Sequence, residues 1–178
     1  MGTTDNFDTP AAATLADTDT YPQINAGTGR GAYVTGSQLR SAISGGAGSI
    51  VATTAGATAL TITAASHSGR TVVLNNTAPI AVTLPQATGS GNIYEFYVAV
   101  AATGTASTIK VANATDVMAG FQYTVTTTST NVEGFATTAT DDTISVNGTT
   151  KGGIVGDRYF IQDVKTGFFN VIMYSSST

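Results

Sequence analysis

Apolar and polar residues alternate along this chain from about Ser49 onward, and turn-forming residues break the alternation at roughly 10-residue spacing. The clearest stretch is Gly69 to Val100, which predicts strands over Thr71–Leu74, Ile80–Leu84 and Ile93–Val100. Asn75-Asn76 and Pro79 separate the first two strands, and Pro85 with Gly89-Ser90-Gly91 separates the last two. Asn and Gly accept positive φ, whereas Pro cannot donate to a ladder. In the third strand Tyr94, Phe96 and Val98 share one face, while Ile93, Glu95, Tyr97 and Ala99 share the other. The first set is expected in a core.

The same reading predicts strands over Ser49–Thr53, Leu60–Thr63, Thr108–Ala112, Val117–Thr128, Val132–Thr137, Thr143–Asn147, Tyr159–Val164 and Phe168–Tyr174. Short strands so spaced indicate an all-β fold, an antiparallel β-sandwich or jelly-roll-like domain over residues 49–178. The expected core comprises Leu60, Ile62, Val72, Leu74, Val82, Leu84, Tyr94, Phe96, Val98, Ile109, Val111, Phe121, Tyr123, Ile144, Val146, Phe160, Val171 and Met173. The final hairpin is apolar on both faces, with Phe169, Val171 and Met173 on one and Phe168, Ile172 and Tyr174 nearer the other. A two-faced apolar strand is either central in its domain or half-buried by another subunit, so self-association is expected.

Residues 1–48 read differently, as an extended N-terminal arm with one short helix and a Gly-rich linker over Gly45–Gly48. Thr35-Gly36-Ser37-Gln38 fits a capping box, with Val34 and Leu39 as a hydrophobic staple, and predicts a helix over about 35–43 that stops at Ser44-Gly45-Gly46. The arm carries Asp5, Asp8, Asp17 and Asp19 but only scattered apolar anchors. Phe7, Leu15, Tyr21, Ile24, Leu39 and Ile43 are the expected partner-binding residues, because such a segment orders only against another surface.

Charged residues make up only 10% of the 178 positions, against roughly 25% in ordinary globular domains, and the net charge is −4. Such a chain has no basic field for nucleic acid phosphates, and no apolar run approaches the roughly 20 residues of a membrane-spanning helix. Cys is absent, which removes disulfides and thiolate metal sites. The polar, acidic opening MGTTDNFDTP is unlike a secretory signal, so synthesis in a cytoplasm is expected.

Candidate chemistry is sparse. His67, the sole histidine, lies in turn-like text with no Gly-x-Ser-x-Gly elbow and reads as a solvated turn residue. Glu95 could be a carboxylate of raised pKa, but two-carboxylate glycoside chemistry would require Glu133, the only other glutamate. The alternative is an ion pair with Arg70, Lys110 or Arg158. Asp141-Asp142 and Asp17-Thr18-Asp19 lack the spacing of a calcium loop and read as Asx turns. No catalytic, cofactor or metal residue is assigned.

Two stretches carry a resemblance. Ser68-Gly69-Arg70-Thr71-Val72-Val73-Leu74, then Ile80-Ala81-Val82-Thr83-Leu84-Pro85, then Gly91-Asn92-Ile93-Tyr94-Glu95-Phe96 resembles small β domains of tailed-bacteriophage structural proteins. Leu15-Ala16-Asp17-Thr18-Asp19-Thr20-Tyr21-Pro22 followed by Tyr33-Val34-Thr35-Gly36-Ser37-Gln38-Leu39-Arg40 is similar to the N-terminal segment of phage fibre and decoration proteins. The resemblance implies a virion structural protein, a homotrimer whose N-terminal part fastens to the particle. Coiled-coil heptads and shaft repeats are missing, and the chain stops soon after one β domain, so a capsid decoration (cement) protein is expected rather than a long fibre. On this reading it binds the outer capsid surface, through the major capsid protein or another virion protein, and stabilises the particle. The alternative is a tail or head fibre attachment module that binds a carbohydrate receptor.

Overall fold

The computed structural model describes residues 20–24, 31–35, 50–52, 56–129 and 131–178. The chain divides into two compact units, Met1–Gly45 and Gly46–Thr178. In the first unit β1 (Thr20–Ile24) pairs antiparallel with β2 (Gly31–Thr35), in register from Thr20 opposite Thr35 to Ile24 opposite Gly31. A strand pair therefore occupies part of the segment expected to be an extended arm with one short helix. Thr35, the expected helix cap, ends β2, and the rest of the expected helix lies outside the described residues.

The second unit is built from a seven-stranded and a four-stranded sheet. Its opening strands alternate between the two. β3 (Ile50–Ala52), β5 (Arg70–Asn75) and β7 (Ile93–Val100) belong to the larger sheet, while β4 (Ala59–Thr61), β6 (Ala81–Thr83) and β8 (Ser107–Lys110) belong to the smaller. Each strand pairs in parallel with the strand two places on, so that Val51, Val72 and Phe96 line up in one sheet and Leu60, Val82 and Ile109 in the other. The remaining strands extend the sheets. β11 (Thr143–Val146) lies antiparallel on β8, and β12 (Arg158–Lys165) lies antiparallel on β7. β13 (Phe168–Ser177) forms a hairpin with β12, β9 (Val117–Thr126) runs parallel to β13, and β10 (Val132–Ala136) returns antiparallel on β9.

The expected antiparallel fold is thus corrected to two mixed sheets. The physical reason is that parallel neighbours need a crossover, and here the crossover is itself a strand of the other sheet. Backbone bonds carry the ladder past the short strands, as Ile62 N–H donates to Thr83 O and Leu84 N–H to Lys110 O, both at 2.8 Å.

Both sheets feed one core. Val72, Phe96, Tyr159, Val171 and Met173 from the larger sheet cluster with Val82, Ile109 and Val146 from the smaller, and Ile62, Leu84 and Val111 bury at the strand ends. Three expected core residues are misplaced. Phe121 and Tyr123 are 56% and 45% exposed, and Phe160 is half-buried, because they alternate with the inward residues Gly120, Gln122, Thr124, Tyr159 and Ile161. Gly120 approaches β13 so closely that a Cβ there would lie 1.7 Å from the carbonyl oxygen of Val171. The sequence Ala64–His67 forms α1, a single helical turn capped by Thr63, whose Oγ1 accepts from Ser66 N–H at 3.3 Å. His67 is buried rather than solvated, and Thr63 N–H donates to its Nδ1 at 3.1 Å.

The close approach of β9 to β13 makes a test. Gly120→Ala is expected to cost at least about 3 kcal/mol in urea unfolding, since backbone rather than a flexible side chain must move. Gly134→Ala on β10, where a Cβ meets nothing within 4 Å, should stay within about 0.5 kcal/mol of the parent. Equal losses in the two variants would contradict this pairing.

Candidate interaction surface

The outward residues of the larger sheet form a continuous apolar face. One row across the strands runs Phe121, Ile172, Phe160, Glu95 and Thr71, and the next runs Tyr123, Tyr174, Arg158, Tyr97 and Val73. Strand alternation places them together, since cross-strand partners share a face. Tyr123 and Tyr174 stack with ring centroids 6.0 Å apart, and Phe160 meets Tyr174 edge-on at 6.3 Å. Tyr174 is 53% exposed.

The charges on this face cancel locally. Glu95 pairs with Arg158 and accepts from Thr71 Oγ1 at 2.9 Å, while the Arg158 guanidinium lies 5.2 Å over the Tyr97 ring. Of the expected partners for Glu95, Arg158 is the one in place. Beside the pair, Ile93, Phe160, Gln162, Asn170, Ile172 and Tyr174 line a shallow groove of about 340 Å³. Among the described residues, no hydrogen-bond partner meets the side-chain amides of Gln162 and Asn170.

Two buried carboxylates fix β12 at its ends and so hold this face in place. Asp163 accepts from the N–H groups of Thr88 (3.1 Å), Gly89 (2.7 Å) and Ser90 (3.1 Å), and from the hydroxyls of Thr88 (3.1 Å) and Ser90 (2.6 Å). Burial alone would raise its pKa, but the bonds from Ser90, Gly89 and Thr88 outweigh it and lower the carboxyl to about 2. Gly89 permits this contact, because its φ is +78° and a Cβ would lie 3.1 Å from Lys165 Cα. Asp157 accepts from Gly153 N–H (2.8 Å), Ile154 N–H (3.1 Å) and Ser176 N–H (2.8 Å). There burial prevails over the opposing bonds and raises the pKa. Burial, and then the Asp157 charge, pushes the Tyr159 phenol up as well.

Other candidate residues are not brought together. Glu133 lies on β10, with β9, β13 and β12 between it and Glu95 on β7. At about 4.8 Å per strand step the two carboxylates sit on the order of 19 Å apart, well beyond glycosidase separations. Asp141 accepts from Thr138 N–H (2.6 Å) and Thr138 Oγ1 (2.9 Å), and Asp142 from Thr143 Oγ1 (2.9 Å), as local turn contacts. Among the described residues, no group of three or more His, Asp or Glu side chains could hold a metal ion. Of the expected arm anchors, Tyr21 and Ile24 lie in β1, while Phe7, Leu15, Leu39 and Ile43 lie outside the described residues.

Comparison of the chain with protein-family models, curated proteins and solved structures finds no match.

The Asp163 clasp makes stability depend on pH. Its folded pKa of about 2 lies below the ordinary 3.8, so its contribution is present above about pH 4 and lost as pH falls towards 2. The gap corresponds to roughly 2 kcal/mol. Asp163→Asn should therefore lower the urea midpoint at pH 7 and flatten its fall below pH 4. Asp157 has the opposite sign, since its raised pKa means that burying the charge costs stability at neutral pH and protonation relieves that cost. An Asp163→Asn protein as stable as the parent at pH 7 would contradict the clasp.

Proposed function

We propose that this chain is a structural protein of a bacteriophage virion, a capsid decoration protein without enzymatic activity. Its N-terminal unit fastens to the major capsid protein or another virion protein, and its β unit is displayed as a homotrimer on the outer capsid surface. The observation that carries this reading is the division into two compact units at Gly45/Gly46, which suits one unit for anchoring and one for display. The resemblance carried by Ser68–Phe96 and Leu15–Arg40 points the same way, as does a surface with few charges. We read the two sheets that share one core as the layers of a β-sandwich.

A second reading, an attachment module that binds carbohydrate, is favoured by a specific observation. The exposed ring of Tyr174 lines the same groove as the Gln162 and Asn170 amides, and saccharides are recognised by ring faces flanked by such polar groups. Micromolar binding on a glycan array would favour it over decoration.

The test of the leading reading is deletion of residues 1–30, followed by cosedimentation with capsids of the virus whose genome encodes the chain. The shortened protein should keep its β-rich circular dichroism spectrum and self-associate but lose capsid binding. Decoration at parental occupancy would overturn the anchoring role of the first unit.

A further inference from the structure

We infer that the outer face of the seven-stranded sheet is a contact between copies of this chain, with a second copy seated on Phe121, Tyr123, Phe160, Ile172 and Tyr174. The inference rests on the homotrimer of the proposed function for the number of copies, whereas the location of the contact comes from the sheet itself.

The first consideration is area. Large aromatic side chains carry about 150–250 Å² each, so the half-exposed Phe121, Tyr123 and Tyr174, with Ile93 and Val125 on the same face, leave on the order of 400 Å² of apolar surface in water. That approaches half of the roughly 800 Å² that each partner contributes to a stable interface. The partly covered Tyr97, Phe160, Phe168 and Ile172 extend the same surface. The composition also matches an interface core, which is rich in Tyr, Phe and Arg and poor in Lys and Asp.

Charge then selects the occupant. A face that meets its own copy must not confront like charges, and its charged pair, Glu95 and Arg158, is neutralised within the chain. Lys165 lies at the end of β12, 5.4 Å over the Phe168 ring, where a rim charge can stay solvated. A strongly acidic or basic partner would find no complement here, while the sparsely charged surface of another copy does. A saccharide would use the groove beside Gln162 and Asn170 but would leave Phe121 and Val125, on β9, uncovered.

The experiment is sedimentation velocity on the full chain from sub-micromolar to tens of micromolar, with Tyr174→Lys, Phe121→Lys and, as a control, Phe135→Lys. Phe135 is exposed but alternates to the other side of β10, where it lines a groove with Met118, Val171 and also Phe121, so Tyr174→Lys, away from that groove, is the variant that isolates the outer face. The parent should assemble, Tyr174→Lys and Phe121→Lys should weaken assembly by at least about tenfold with unchanged circular dichroism, and Phe135→Lys should behave as the parent. If a lysine variant fails to fold, Asn170→Arg on the exposed groove reads the same contact with every ring in place. A monomeric parent, with or without bound saccharide, overturns the inference. So does assembly that survives these outer-face substitutions or is lost in Phe135→Lys alone. A parent that assembles through this face but does not bind capsids would sink the decoration reading and leave the contact standing, and a monomer that decorates capsids would do the reverse.

Discussion

Packing of Val72, Phe96, Tyr159 and Met173 against Val82, Ile109 and Val146 is the contact on which the rest of the β unit depends. Several strands are only three residues long, as in β3, β4 and β6, and no such strand is stable alone. β4 and β6 persist because each stacks in register on the next and turns Leu60 or Val82 to the shared core, where each large side chain contributes roughly 1.5–3 kcal/mol, and β3 is held by its pairing with β5. The chain has no disulfide and few charges, so burial and ladder hydrogen bonds carry its stability. The larger sheet turns one face to the core and leaves the other, with its aromatic rows, to water or to a partner.

The buried carboxylates connect that core to the surface. Asp157 and Asp163 flank Arg158, Phe160 and Gln162 on β12, and both take backbone N–H groups from loops that would otherwise be loosely held. Ligation of this kind fixes the loop over Thr88–Ser90 and the turn at Gly153–Ile154 without a metal or a disulfide. The outer face is therefore presented on a rigid strand, which lowers the ordering cost of any partner's docking.

Much of this was legible in the residues. Each strand expected between Ser49 and Tyr174 is present within a few residues, because turn text such as Asn75-Asn76 and Gly89-Ser90-Gly91 interrupts the alternation where the chain leaves a sheet. The parallel stacking was less visible, although Ala59-Leu60-Thr61-Ile62, Ala81-Val82-Thr83-Leu84 and Thr108-Ile109-Lys110-Val111 share one pattern of small or hydroxyl, apolar, polar and apolar positions. That short repeat is the signal for the winding, and its variable spacing hides it. The faces of β9 were misread for a physical reason. Aromatic residues are expected inside, but the inward positions of β9 hold Gly120, Gln122 and Thr124, which allow close approach to β13 and bonds to Ser175. With Gly120 packed on Val171 and with Gln122 and Thr124 bonded to Ser175 on one face, strand alternation leaves Phe121 and Tyr123 on the other. The Asp163 clasp joins residues far apart in the chain, a contact that local pattern cannot show.

On the proposed contact, these outward rings are covered when copies of the chain meet. Hydroxyl-radical footprinting of the full chain tests it most directly, by comparing ring oxidation well below micromolar concentration with that at tens of micromolar. Phe121, Tyr123, Phe160 and Tyr174 should become protected at the higher concentration while Phe135 stays equally reactive. Equal oxidation of all these rings at both concentrations would contradict it.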